Sequence, residues 1–175
     1  MKLATTIAGL TLAVAATYSI PATAQSLHGN SSQPAARCQG ALPAFETAIR
    51  KRPLAIQNEG SQASYVTCGF EFDSAAAVNN SSFLVDTYFT NSTDAVATVT
   101  CTGVTGYAGG ENEYVSMSVD IPANGSGEDA NLYWFDDDFA GGGMQSGLVA
   151  ISCLLPAGVG INDTYVFWDE ADVAV

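Results

Sequence analysis

Beyond residue 53, apolar and polar residues alternate along the chain with a period of two, and turn-forming residues interrupt the alternation repeatedly. Residues 114–121 show this most clearly, since Val115, Met117, Val119 and Ile121 alternate with two serines and an aspartate. Successive side chains of an extended strand point to opposite faces, so such alternation indicates a strand with one buried face. The pattern predicts an all-β chain.

Eight segments carry this strand signal, namely residues 54–57, 65–72, 82–90, 95–104, 114–121, 131–135, 148–155 and 162–169. Clusters of Gly, Asn, Asp, Ser and Pro separate them, which is typical of tight turns. Seven to eight short strands without a long helix predict an antiparallel β-sandwich, jelly-roll-like in its connections. Residues 43–52, which start at Pro43 and stop before Pro53, predict one short N-terminal helix. We find no internal repeat.

The first 24 residues have the pattern of a secretory signal peptide. Lys2 provides the positive charge, residues 3–16 are apolar, and an A-x-A-like site ends at Ala24. The apolar run is shorter than the roughly 20 residues of a membrane span, and no later stretch is long or apolar enough to span. We therefore predict a secreted or periplasmic protein with a polar N-terminal arm at 25–40, loose over 25–36, and a single β-sandwich domain at 41–175.

The charge distribution is strongly asymmetric. Beyond residue 24, four basic residues stand against 18 acidic ones, and no Lys or Arg follows Arg52. Binding to nucleic acid requires clustered Lys and Arg, so this class of partner is excluded. We expect Arg50, Lys51 and Arg52 to pair with the domain's own carboxylates. A glycan or a cationic protein fits the acidic remainder better than an anionic partner does.

Four cysteines follow the signal segment, at Cys38, Cys68, Cys101 and Cys153. An even number in an exported chain predicts two disulfides. Their wide spacing, without any C-x-x-C pair, argues against a metal site. Of the three pairings, we favour Cys38–Cys68, which would clip the arm to a strand, and Cys101–Cys153, which would join two strands.

Several segments resemble a family of small exported bacterial β-sandwich proteins of uncharacterised function. These segments are residues 56–60 with 65–68, Cys101 in its Thr-rich strand, and the closing strand–Cys–x–Leu–Pro–x–Gly hairpin at 149–158 followed by Ile161 and Tyr165. The resemblance covers most of the chain from about Pro53. It implies a β-sandwich with paired cysteines and no catalytic residue.

The residues for common catalytic chemistry are sparse. The only histidine, His28, lies in the polar arm, so a Ser–His–acid triad is excluded in practice. A carboxylate-pair hydrolase would have to draw on acids such as Asp136, Asp138, Asp169 and Glu170. Eighteen acids give close pairs by chance, so we expect a protein that is not an enzyme.

The acidic run at 136–138 is a candidate calcium site. In an extended chain, Asp136 and Asp138 would point their carboxylates to the same side, and hard cations take such oxygen ligands. The alternative is a solvated strand end that keeps the protein soluble. We expect no other cofactor.

Aromatic residues in two of the predicted strands are a candidate platform for sugar rings. We single out Trp134 and Trp168, with Tyr133 and Tyr165 beside them. The alternative is that these rings lie in the core, because aromatic side chains bury large areas.

Together these observations predict a secreted, non-enzymatic protein with a binding or structural role outside the cytoplasm. A carbohydrate- or calcium-binding module is the first alternative. An inhibitor of a secreted enzyme, presenting a loop such as residues 106–112, is the second.

Overall fold

The computed structural model of this chain describes residues 26–71, 83–106, 110, 112–139 and 148–170, so the signal peptide predicted at 1–24 lies outside the described residues. The described part contains β1 (Ser26–Ser32), α1 (Pro34–Arg37), β2 (Cys38–Gly40), α2 (Pro43–Glu46), β3 (Ile49–Arg52), β4 (Ala55–Asn58), β5 (Ser64–Glu71), β6 (Phe83–Asn91), β7 (Ala97–Gly106), β8 (Asn112–Ile121), β9 (Ser126–Phe135), a 3₁₀ turn (Asp136–Asp138), β10 (Leu148–Leu155) and β11 (Val159–Glu170).

The strands form two sheets with antiparallel pairing throughout. The six-stranded sheet has the order β3-β4-β11-β6-β9, and β1 adds to it by pairing with the C-terminal part of β11. The five-stranded sheet has the order β2-β5-β10-β7-β8. Buried aliphatic and aromatic side chains from both sheets form one core cluster between them. The predicted all-β, antiparallel sandwich is therefore confirmed.

Strand β6 shows how the sequence positions each side chain. Its nine residues alternate strictly between buried and half-buried, beginning with buried Phe83 and ending with buried Asn91. The core side carries Val85 and Phe89, whereas Asp86 and Tyr88 lie on the outer side. Because side chains alternate across a strand, this pattern separates the residues of β6 that face the core from those that lie on the outer face of the sheet.

The N-terminal region differs from the expected loose tail. Residues 26–32 form β1, which pairs with β11 from Ser26 opposite Glu170 to Ser32 opposite Thr164. None of its described side chains is fully buried. A strand without a buried face needs no alternation of apolar and polar residues, so its sequence carries no strand signal. Backbone pairing, together with the Thr164 hydroxyl donating to the carbonyl of Ser32 at 2.9 Å, holds it in place.

The predicted helix at 43–52 is also wrong beyond its first turn. Helix α2 ends at Glu46, and residues 49–52 form β3, which pairs with β4. Ile49, within the predicted helix, is a buried strand residue, 8% exposed. The described part therefore holds eleven strands rather than seven or eight, and β1, β2 and β3 are the additional ones.

Both disulfides form in the predicted pairing. Cys38–Cys68 joins β2 to β5, and Cys101–Cys153 joins β7 to β10, each across directly opposed residues. All four cysteines are at most 2% exposed and face the core. Two disulfides without a free cysteine indicate an oxidising compartment. Within the described residues, no helix has the length and apolar character needed to cross a bilayer.

Candidate ligand-binding face

The outer face of the six-stranded sheet carries several aromatic side chains on neighbouring strands. We call it the aromatic face and define it by Leu84, Asp86 and Tyr88 of β6, Asn131, Tyr133 and Phe135 of β9, and Tyr165 and Phe167 of β11. Tyr133 and Phe135 are 49% and 45% exposed, and the other members are half-buried. These exposed and half-buried rings make the outer face of this sheet a candidate contact site.

The strand register arranges these side chains in rows that cross the sheet. Asp86 lies directly between Tyr165 on one side and Tyr133 on the other. Phe167, Leu84 and Phe135 form the neighbouring row in the same order. Since adjacent strands are about 4.8 Å apart, the two outer residues of each row are separated by about 10 Å at the backbone.

Ring contacts within the aromatic face fix the orientation of the side chains. Tyr165 lies parallel to Phe167, with ring centroids 6.4 Å apart and planes within 8° of each other. Tyr88 and Tyr165 form an edge-to-face pair with ring centroids 5.8 Å apart, and Tyr133 and Phe135 form another at 5.4 Å. Packed rings lose little conformational freedom when a ligand arrives, so this surface is preorganised.

Asp86 is the acidic group at the centre of the aromatic face. The amide nitrogen of Asn131 donates to Asp86 Oδ1 at 3.3 Å, and the Tyr88 hydroxyl and the backbone N–H of Thr87 also donate to the carboxylate. Burial raises the pKa of Asp86 more than these hydrogen bonds lower it. The fold therefore disfavours the charged form, and a group held at a cost to stability is a candidate for function.

We predict that Asp86→Asn stabilises the protein at neutral pH, by at most about 1 kcal/mol because the carboxyl keeps part of its hydration. The folded-state pKa of Asp86 is raised, so the native state binds the proton more tightly than the unfolded state does. The stability that protonation contributes is thus fully present below the ordinary pKa of 3.8 and is lost as pH rises through the raised value. Urea denaturation of both proteins from acid to neutral pH measures this difference.

The predicted advantage of Asp86→Asn should shrink as pH falls and disappear below the ordinary aspartate range. A matched comparison is Asp120→Asn, which removes a carboxylate on an exposed strand position, where Asp120 accepts from the Thr98 hydroxyl at 2.6 Å. An Asp86→Asn protein that is less stable than the wild type at neutral pH would show that the hydrogen bonds outweigh the burial.

Of the two predicted platform tryptophans, Trp134 does not face solvent, and Trp168 does so only in part. Trp134 is fully buried, and its indole Nε1 donates to the carbonyl of Val115 at 3.1 Å. Trp168 is half-buried and packs against the core cluster, and His28 stacks on it with ring centroids 5.6 Å apart. Tyr133 and Tyr165, proposed beside them, do lie on the outer face. An outward-facing aromatic surface is therefore present, but on the opposite parity of β9 and β11.

The geometry assumed for the calcium site is wrong. Residues 136–138 form a 3₁₀ turn, in which residues two apart point in divergent directions, so Asp136 and Asp138 do not share a side. Asp138 Oδ2 instead accepts the backbone N–H of Phe135 at 2.8 Å, which caps the turn. No cluster of three metal-ligating side chains occurs in the described part of the chain. Calcium binding at these residues stays a prediction.

The outer face of the five-stranded sheet is chemically different. Its hydroxyls pair with one another across β7 and β8: Thr100 with Ser118 at 2.8 Å, and Thr102 with Ser116 at 2.7 Å. Groups that already satisfy each other gain little from a ligand. The aromatic face is thus the better candidate for binding.

The basic cluster lies on the edge strand β3, away from the centre of the aromatic face. Arg50 Nε lies 2.6 Å from one carboxylate oxygen of Glu59, and Arg52 pairs with the other oxygen. The predicted pairing of these arginines with the domain's own carboxylates is confirmed. The loop at 106–112 proposed for an inhibitor lies mostly outside the described residues, as do the side chains of Asp169 and Glu170.

No family model matches this chain, and no curated protein matches it either. The resemblance to small exported bacterial proteins therefore stays a prediction.

Solved structures give distant likenesses. An exo-β-1,3-galactanase from Phanerochaete chrysosporium with galactose is 18% identical, with 79% of this chain and 29% of that chain covered and a TM-score of 0.41. A CBM4 structure is 9% identical, with coverage of 79% and 81% and a TM-score of 0.37. A family 11 carbohydrate-binding module from Clostridium thermocellum in complex with a mixed-linked tetrasaccharide is 8% identical, with coverage of 89% and 92% and a TM-score of 0.36. This chain thus spans less than a third of the galactanase.

Proposed function

We propose that this protein binds carbohydrate chains outside the cytoplasm through the aromatic face, and that it does not cleave them. The observation that carries the proposal is the row in which Tyr165, Asp86 and Tyr133 stand side by side on three neighbouring strands. The rings offer apolar surface to the C–H faces of sugar rings, and the carboxylate between them accepts hydrogen bonds from sugar hydroxyls. Such a row fits an extended chain of sugars that crosses the strands.

Polar groups beside the rings support the same function. Asn131 and Tyr88 surround the carboxylate with one amide and one hydroxyl, and both can exchange hydrogen bonds with a ligand. Ligand sites typically combine apolar lining with a few placed polar groups. The two disulfides suit a protein that works in an oxidising compartment, beyond the cytoplasmic membrane.

The test is the double variant Tyr133→Ala with Phe135→Ala. We expect its affinity for any polysaccharide that the wild type binds to fall at least about fivefold, because each of the two lost aromatic contacts contributes about 0.5 to 1.5 kcal/mol. Affinity electrophoresis against soluble polysaccharides of several classes finds the ligand, and calorimetry then measures the affinity. Both side chains are nearly half exposed, so the variant should remain folded.

The matched control is Tyr114→Ala, which removes an exposed tyrosine (64%) from β8 of the opposite sheet. Its affinity should equal that of the wild type. An equal loss in this variant, or a wild type that no polysaccharide retains, would contradict binding through the aromatic face. Reducing ends are measured in the same samples, and their release would contradict binding without cleavage.

A further inference from the structure

Asp86 is the only described acid in the two rows described above, its own row and the neighbouring row that contains Leu84. Its described hydrogen-bond donors are all neutral. Asn131 and Tyr88 give it an amide and a hydroxyl, and the backbone of Thr87 gives an N–H. A half-buried carboxylate with neutral partners keeps its full negative charge when it is ionised. The ionised carboxylate therefore attracts a cationic ligand group more strongly than a neutral one.

The charges around Asp86 favour a cation further. Asp163, on the outer side of β11 opposite Tyr88, is exposed and also acidic. Among the described basic side chains of the same sheet, His28 of β1 stacks on Trp168, which alternates with the outward-facing Tyr165 and Phe167 of β11. Arg50 and Arg52 lie on β3, at the far edge of the sheet, where they share Glu59. The potential over the centre of the aromatic face is thus negative, which attracts cations and repels sugar acids such as uronates.

The rings around the carboxylate act in the same direction. Tyr88 follows Asp86 on the same side of β6, and Tyr165 and Tyr133 flank it on the adjacent strands. The face of an aromatic ring attracts an ammonium group that lies within about 6 Å of its centre. A carboxylate surrounded by three tyrosines therefore offers both a charge partner and several ring faces to one ammonium group.

We propose that Asp86 and its surrounding tyrosines bind a primary ammonium group of the ligand, so that the aromatic face selects chains containing unacetylated amino sugars. This inference rests on the proposed carbohydrate binding and adds the class of sugar to it. The primary ammonium is the shared chemistry of amino sugars and of lysine side chains. The glycan is favoured because the rows continue the stacking surface on both sides of Asp86.

The test compares three oligosaccharides of equal length and linkage, made of glucosamine, N-acetylglucosamine and glucose, at about pH 6 and low salt, above the ordinary aspartate range. We expect the wild type to bind the glucosamine oligomer at least about tenfold more tightly than the other two. In Asp86→Asn the three affinities should come within about twofold of one another. Asp120→Asn, on the opposite sheet, should keep the wild-type preference.

The possible outcomes separate the two proposals. Equal affinity of the wild type for all three oligomers would overturn the ammonium subsite and leave carbohydrate binding standing. No binding of any oligomer or polysaccharide would overturn both. A lysine oligomer tests the other source of a primary ammonium group. If it binds as tightly as the glucosamine oligomer, and if the double variant Tyr133→Ala with Phe135→Ala leaves its affinity unchanged, then the proposed selection of amino sugars is wrong.

Discussion

Replacing Asn91 by alanine is expected to lower the free energy of unfolding by about 3 to 4 kcal/mol in urea denaturation at neutral pH. The side chain is 1% exposed, and its Nδ2 donates to the carbonyls of Ala95, Ile121 and Pro122 at 2.7, 3.2 and 3.0 Å. Its Oδ1 accepts from the backbone N–H and the hydroxyl of Thr93. Alanine would leave several of these groups without a partner where water enters poorly.

Two further variants sharpen the test. Asn91→Asp should destabilise at least as much, because a carboxylate has no hydrogen to donate and would face three carbonyl oxygens. Asn112→Ala is the control, since Asn112 is an exposed residue at the start of β8, and its effect should stay within about 0.5 kcal/mol. If Asn91→Ala lost less than about 1 kcal/mol, the Asn91 side chain would not be a structural centre of this end of the sandwich.

Asn58 makes the same set of contacts at the end of β4. Its Oδ1 accepts the N–H of Gly60, two residues on, and its Nδ2 donates to the carbonyl of Gln62, four residues on. The same nitrogen reaches the carbonyl of Leu155, at the end of a strand in the opposite sheet. Asn91 repeats these offsets, to Thr93, to Ala95 and to the end of β8. The two asparagines therefore tie the two sheets together in the same way.

This equivalence is an internal repeat that the sequence alone did not reveal. Each asparagine ends a strand of the six-stranded sheet, and each lies ten residues before a cysteine in the next strand, Cys68 or Cys101. The two segments share only the asparagine and the Val-Thr-Cys run that ends at the cysteine, and the residues between these differ. Hydrogen bonds to backbone atoms place few demands on the neighbouring side chains, so the geometry recurs without much sequence similarity.

A strand can be predicted from the sequence when the side chains on one of its faces are buried and those on the other are not. Strand β10 was predicted at residues 148–155 and is found there, because Ile151 and Cys153 are buried between less buried neighbours. The missed strands β1, β2 and β3 are short or polar, and Ile49 is the one buried residue of β3. Strands this short or this polar show too few apolar residues to leave a periodic signal.

The candidate site was predictable in kind but not in position. Tyr133, Trp134 and Phe135 are consecutive aromatic residues, so period-two reasoning has no contrast from which to choose the inward side chain. The partner across the core decides, because Gly103 of β7 leaves the space that the indole fills. Asp86 gave no sequence signal, since its place between two tyrosines depends on the pairing of β6 with β9 and β11.

Replacing Trp134 by alanine is expected to lower the free energy of unfolding by about 4 kcal/mol while affinity for the polysaccharide stays within about twofold of the wild type. The indole is fully buried, and its loss leaves a large cavity and removes the hydrogen bond to the carbonyl of Val115. Urea denaturation gives the stability, and calorimetry under conditions where the variant is folded gives the affinity. A tenfold loss of affinity in the folded variant would restore Trp134 as a platform residue.

Gly103 provides the structural counterpart of this test. A Cβ at position 103 would lie 2.8 Å from Trp134 Nε1, so Gly103→Ala has to displace the indole and should destabilise by about 1 to 3 kcal/mol. Trp134→Phe, which presents a smaller ring, should relieve that clash, so the double variant should cost less than the sum of the two single changes. Strictly additive effects would contradict the contact. A favourable coupling would place Trp134 against β7, on the core side of β9, and leave Tyr133 and Phe135 as the rings of β9 that a sugar chain meets.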